Sequence, residues 1–269
     1  TTNASPELGT RNPELMMIEW QARELICEIG RRMYAKDLIC ANEGNLSIRM
    51  GERLLATPTG LCKGDLQPED LVTTDLEGHQ LNGGRRVSSE MKMHVVVYRG
   101  RPDVTAVCHG HPVYGTAHAV AGLPLREALM PEVVLTLGCV PIAPYGTPST
   151  DELANSLTDL VPEHNAILLA NHGAITMGSD LQKAFFRMEI LEHFAKISLL
   201  TRILGRQSLL TRKSVDKLFD VSGKYGINAP VSRQTDCPVT ANSEHPLTLS
   251  PREIDEIVER VVLEMNRDR

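Results

Sequence analysis

Residues 104–118 read VTAVCHGHPVYGTAH, and no other stretch constrains the fold as much. Val104 to Cys108 are apolar and β-branched, the pattern of a short buried strand. If that strand continues to His111, then His109 and His111 project from one face, because side chains in a strand alternate. Pro112 has no N–H for a ladder and suits the first turn of a helix, so a helix is expected over residues 113–120. Two imidazoles on one face at a strand end are a natural pair of zinc ligands. Gly110 between them lets another part of the molecule approach the backbone closely. Taken alone, the pair reads equally well as two polar residues closing a strand.

The flanking segments supply a scaffold. Pro13 opens a long helix to about Asp37, with Leu15, Ile18, Ala22, Leu25, Ile26, Ile29 and Met33 stepping by three and four along one buried face. Gly44-Asn45 is turn chemistry before a strand containing Leu46 and Ile48, and residues 53–57 pair with it as a hairpin ending at Pro58-Thr59-Gly60. Residues 71–75 and 78–81 read as a second small hairpin, and Lys63, Asp65, Glu69 and Asp70 as solvated loop charges. Ser88-Ser89-Glu90 precedes a helix over residues 91–98, with the serines as caps and Glu90 in the first turn. The same helix start also offers free N–H groups to a phosphate. His94 lies over the Glu90 face, where packing is the favoured reading.

Further on, residues 123–137 are irregular with a short helix, residues 140–143 form a strand, and Ser149 or Thr150 caps the next helix. Residues 166–170 are a fully apolar strand leading into Asn171-His172-Gly173, and residues 174–177 form another. A histidine at the end of a buried strand, flanked by Asn and Gly, looks placed for chemistry. A second long helix runs from Asp180 to about Leu204, with His193 a surface or core detail; a shorter one covers residues 209–219. His79, His118, His164 and His245 show no sequence partner.

Composition narrows the class. A chain of 269 residues can bury a large core without staples. Its formal net charge of −6 argues against a nucleic-acid partner held through phosphates. No apolar run approaches a membrane span, and no signal peptide opens the sequence. Six cysteines are scattered without a C-x-x-C; Cys27 and Cys108, inside apolar segments, read as buried free thiols, and a reduced, cytoplasmic setting is expected.

Three organisational units are expected. Residues 1–226 form the catalytic domain. Residues 227–250, rich in Pro, Ser, Thr and Asn, form a flexible linker. Residues 251–267 form an amphipathic helix, opened by a Ser250…Glu253 capping box with Pro251 at its first position. So short a tethered helix needs a docking surface: the parent domain, a neighbouring subunit or another partner.

Glu90, His109, His111 and His172 then make a three-histidine and carboxylate zinc site, of the kind that keeps a displaceable position for catalysis. Beside it stand Gly44-Asn45, Thr59-Gly60 and Ser88-Ser89, each able to present N–H and hydroxyl groups to an anion.

In this order the motifs GNLS (44–47), PTG (58–60), SSE (88–90) followed by His94, HGH (109–111), APYGT (143–147) and NHG (171–173) resemble the class II aldolase/adducin family, most closely its L-fuculose-1-phosphate aldolases. The resemblance covers about residues 14–225. It implies an αβα sandwich of α/β class, with a central, mainly antiparallel sheet flanked by helices. It also implies one Zn2+ per subunit on His109, His111 and His172. Glu90 is then the catalytic acid/base and a ligand of the resting metal. Gly44, Asn45, Thr59, Gly60, Ser88 and Ser89 form the phosphate pocket, and Tyr225, in a Tyr-Gly context, is a catalytic tyrosine. The implied activity is reversible retro-aldol cleavage of a ketose 1-phosphate to dihydroxyacetone phosphate and an aldehyde such as lactaldehyde, in a homotetramer with sites between subunits. Such cleavage generates an enediolate, whose charge a divalent cation stabilises. The family tyrosine soon after the His-x-His helix has no counterpart in residues 123–134. Pentulose-5-phosphate 4-epimerases and related decarboxylases and dehydratases share the scaffold, and a non-catalytic adducin-like interaction module is the alternative of another class. The added tail is similar to encapsulation peptides, which implies a microcompartment shell protein as partner of residues 251–267.

Overall fold

The computed structural model describes residues 13–222 together with Cys237 and Thr240. The expectations for residues 1–12, Tyr225, His245, the helix at 251–267 and most of the 227–250 segment lie outside the described residues.

Eight strands form a single sheet: β1 (Asn45–Met50), β2 (Arg53–Ala56), β3 (Val72–Thr74), β4 (Gln80–Asn82), β5 (Ala106–Gly110), β6 (Ile142–Ala143), β7 (Ala166–Leu169) and β8 (Gly173–Gly178). Their order is β4-β3-β2-β1-β5-β8-β7-β6. All neighbours are antiparallel except β6 and β7, which are parallel. The helices are α1 (Pro13–Ala35), α2 (Met91–Gly100), α3 (Val113–Ala121), α4 (Pro131–Thr136), α5 (Asp151–Asn155), α6 (Leu181–Ile203) and α7 (Arg212–Ser222). The expected sandwich is what forms.

Strand alternation divides the core into two layers. Leu46, Ala106, Cys108, Ala166 and Leu168 face α1 and α6, where they meet Ile29, Met33, Phe185 and Met188. Val107, Ile167, Leu169, Ile175 and Met177 face the other way, onto Met93 and Val97 of α2 and Leu153 of α5. Strand β7 is thus apolar on both faces, which explains why residues 166–169 read as one unbroken apolar run.

Three expectations need correction. Ile18, placed by periodicity on the buried face of α1, is 54% exposed, whereas Ile26, Ile29 and Met33 are buried in the core: periodicity marks an apolar face, and burial needs something packed over it. Lys63 is not solvated: its residue is 2% exposed, and its ammonium donates to the carbonyls of Asn42 and Leu61 at 2.6 and 2.8 Å. Cys139 and Cys237, 98 residues apart, are joined as a disulfide, whereas Cys27, Cys40, Cys62 and Cys108 are free. Spacing along a chain says nothing of whether two Cα atoms come within bridging range, here 6.0 Å. No described helix is long and apolar enough to cross a membrane.

Candidate active site

The site lies where β5 ends and β8 begins, on the face that carries α2. Strand register sets it. Asn45 of β1 pairs with His109 of β5, and Gly110 pairs with Ala174 of β8. Side-chain parity then turns Asn45, Ser47 and His109 toward α2. His111 lies one residue past the strand, its N–H bonded to the Leu38 carbonyl at 2.9 Å. That approach explains Gly110, since a Cβ there would lie 2.6 Å from the Leu38 oxygen. His172 arrives on the β7–β8 turn, where Asn171 takes a left-handed φ of 56°, a conformation that asparagine tolerates.

The three rings converge. Their centroids are 4.9–5.1 Å apart, and one ligand nitrogen from each lies within 4.8 Å of the others. The His109 ring donates from Nδ1 to the Ala174 carbonyl at 2.9 Å, leaving Nε2 buried without a hydrogen-bond partner. His111 Nδ1 meets the Glu43 carboxylate at 3.1 Å, and its Nε2 is likewise unpaired. His172 presents Nε2 to Glu90, and its buried nitrogen without a partner is Nδ1. Buried polar atoms are normally satisfied, so the unpaired Nε2 atoms of His109 and His111, beside a third converging imidazole, fit a bound metal ion. Burial and the neighbouring His109 push the His111 pKa down to about 4, which keeps the ring neutral and able to ligate.

Glu90 closes the group. Its Oε1 is 3.2 Å from His172 Nε2 and its Oε2 is 3.4 Å from His109 Nε2. It stands at the N-cap of α2 with non-helical φ and ψ, not in the first turn as expected, and the serines do not cap the helix. Freed from helix geometry, the side chain turns back to the imidazoles. Burial raises the carboxyl pKa, but the His109 and His172 imidazoles beside it outweigh that and hold the group well below the usual range.

The three small-polar turns come together around Thr57. The Thr57 N–H donates to the Leu46 carbonyl, and its hydroxyl accepts from the Leu46 N–H at 3.2 Å. Pro58 and Val87 form an antiparallel bridge, which sets the exposed Thr59 and Gly60 beside Ser88 and Ser89. Ser88 Oγ accepts from the Glu90 N–H at 3.3 Å, and Ser149 donates to Ser89 Oγ at 2.8 Å. Gly44 has a φ of 72°, and a Cβ there would press on Ile39 and the His109 carbonyl. Lys63 joins the loops from below by gripping Asn42 and Leu61, and burial lowers its pKa to about 8.

Sequence reasoning missed Glu43, the role of His94 and the burial of Lys63. His94, read as packing, is 1% exposed but hydrogen-bonded through both ring nitrogens, to Ser47 and Asn45. The signal was present: Asn45 and Ser47 share a strand face at i,i+2, and His94 and Tyr98 share a helix face at i,i+4. His118, His164 and His79 also have partners, in the Tyr114 carbonyl, the Leu160 carbonyl and the Asp75 carboxylate respectively.

Comparison with known proteins gives a family match. Residues 24–199 match the Class II Aldolase and Adducin N-terminal domain. A 3-oxo-tetronate 4-phosphate decarboxylase of Escherichia coli K12 is 36% identical over 185 residues, covering 67% of this chain and 87% of the relative. A 5-deoxy-D-ribulose 1-phosphate aldolase of Bacillus thuringiensis is 33% identical over 214 residues, covering 78% and 99%. Among solved structures, an L-fuculose 1-phosphate aldolase superposes with a TM-score of 0.71 at 29% identity, covering 76% of this chain and 96% of that one.

Proposed function

The chain belongs to the class II aldolase and adducin family, and we propose from that premise that it cleaves a carbon–carbon bond in a small phosphorylated sugar, using a divalent metal on His109, His111 and His172. It is an enzyme of the aldolase/lyase type. The observation that carries the metal reading is the convergence of three imidazoles beside one carboxylate, with Nε2 of both His109 and His111 buried and unpaired. Bound there, a cation such as zinc supplies a Lewis acid for the negative charge that bond cleavage leaves on substrate oxygen.

The residues divide the remaining work. Glu90, held against His109 and His172, is the acid/base that carries a proton to or from the reacting carbon. Glu43 fixes the tautomer and orientation of His111, as an outer carboxylate does for a ligating histidine. Thr59, Gly60, Ser88 and Ser89, with Gly44 and Asn45, face the phosphate, whose binding far from the reacting bond positions the substrate. Tyr225 remains the proposed second proton carrier, and a homotetramer with sites between subunits remains the proposed assembly. The division into a 1–226 catalytic domain, a 227–250 linker and a 251–267 docking helix belongs to the same proposal.

L-Fuculose 1-phosphate is the first substrate to try. The test is release of dihydroxyacetone phosphate, measured with chelator and again with zinc restored. Chelator-sensitive release that zinc recovers supports the reading; zinc-bound protein that releases none sinks this substrate. One observation favours a second reading. The aldolase tyrosine is absent from residues 123–134, and relatives at 36% identity are 3-oxo-tetronate 4-phosphate decarboxylases. Decarboxylation leaves the same kind of negative charge beside the metal, so carbon dioxide release from that substrate decides between the two.

A further inference from the structure

Behind Glu90 lies a file of polar side chains, each buried. Asn45, Ser47, His94 and Tyr98 are 3%, 0%, 1% and 4% exposed. Asn45 Nδ2 donates to Glu90 Oε2 at 2.9 Å, and its Oδ1 faces His94 Nε2 in a close hydrogen bond. His94 Nδ1 is 2.7 Å from Ser47 Oγ, which is 2.7 Å from the Tyr98 hydroxyl.

One group sets the direction of every bond in this file. An ionised carboxylate only accepts. The Asn45 atom facing Glu90 must therefore be the amide nitrogen, and its oxygen must face His94. His94 then carries its proton on Nε2 and accepts at Nδ1. Ser47 donates to that nitrogen, and the Tyr98 hydroxyl donates to Ser47, whose carbonyl it also reaches at 3.1 Å. Burial supports a neutral ring by driving the His94 pKa down to about 3.

We infer that His94, locked by Ser47 and Tyr98, is a positioning residue: it holds the Asn45 amide in the one orientation that donates to Glu90 and so aims the carboxylate at the reaction. Without the Nε2 donor the amide loses its second anchor at Oδ1 and is free to swing about its side-chain bonds, so the carboxylate no longer meets a donor held in one place. The inference rests on the reading of Glu90 as acid/base and adds the machinery that aims it.

The test uses the full-length, zinc-loaded protein and whichever of the two substrates it turns over. His94→Leu should lower kcat about 10–100-fold, as loss of an outer partner does, with KM and zinc content unchanged. His94→Gln keeps a side-chain N–H toward Asn45 and should recover a large part of that loss; Tyr98→Phe, two bonds further out, should cost only a few-fold. A purely structural role predicts that turnover in each variant falls in step with its zinc content and its stability in urea, whereas positioning lowers kcat in protein that stays folded and zinc-loaded. Nitrogen-15 NMR of the imidazoles gives a readout independent of turnover, and should show His94 neutral with its proton on Nε2. A proton on Nδ1, a His94→Leu enzyme within twofold of wild type, or a loss confined to KM overturns the inference. Glu90→Gln separates the two failures. If it abolishes turnover while His94→Leu does not, the inference alone falls; if it leaves turnover intact, the reading of Glu90 falls as well.

Discussion

Two buried polar clusters meet at Glu90, and they differ in one respect. On one side His109, His111 and His172 each keep a buried nitrogen that finds no hydrogen-bond partner. On the other, Asn45, Ser47, His94 and Tyr98 have their polar side-chain atoms paired, in a file that ends on the carboxylate. An unpaired buried donor or acceptor costs about 1–3 kcal/mol, so a fold keeps several together only where something else will bind them. The paired cluster carries no such cost and serves as a fixed support. The contrast teaches that His94 and the three histidines of the other cluster are told apart by what their nitrogens lack.

The largest expected effect strikes the unpaired side. His109→Ala or His172→Ala should reduce metal from about one ion per chain to almost none, with turnover falling to background; metal analysis after gel filtration checks it. Full metal retention would erase the contrast. Glu90→Gln sits at the junction, and should keep the metal while lowering kcat about 10²–10⁴-fold, the usual worth of a general acid/base. Equal loss of metal and turnover would move Glu90 from proton carrier to simple ligand.

Lys63 sharpens the comparison from outside both clusters, because it is buried and paired yet charged. Lys63→Met strands the Asn42 and Leu61 carbonyls, and should cost about 1–3 kcal/mol in urea unfolding. The smallest effect is a pH dependence. The folded His94 pKa is about 3, against roughly 6.5 in an unfolded chain. As pH falls through that window the unfolded state takes a proton that the folded state refuses. Stability is therefore lost below about pH 6.5, by up to ~1.4 kcal/mol per unit. Urea unfolding at pH 7 and pH 5 should show a shallower drop in His94→Leu than in wild type.

Much of this was readable from residue order. Both long helices, the hairpins, the apolar strand before Asn171 and the helix start at Pro112 follow from periodicity and punctuation, which act over a few residues. The imidazoles and Glu90 were legible because histidines at strand ends beside glycine are chemically unusual wherever they occur. Lys63 and Ile18 were misread for a shared reason: burial depends on what packs over a residue from far along the chain. His94 was read as packing below Glu90, yet Asn45 stands between them; the partners of His94 came from β1, and only the pairing of Asn45 with His109 brought that face beneath α2.

The sequence by itself determined the element types, the unbroken run that makes β7 apolar on both faces, and the residue types able to hold a metal. Those properties are written in local covalent chemistry and in periods of two and 3.6 residues. Only the tertiary structure decided which nitrogens are spoken for, which lysine is buried, and that Cys139 meets Cys237. Hydrogen-bond satisfaction and burial are sums over neighbours in space, and those neighbours here stand as far as 98 residues apart in the chain.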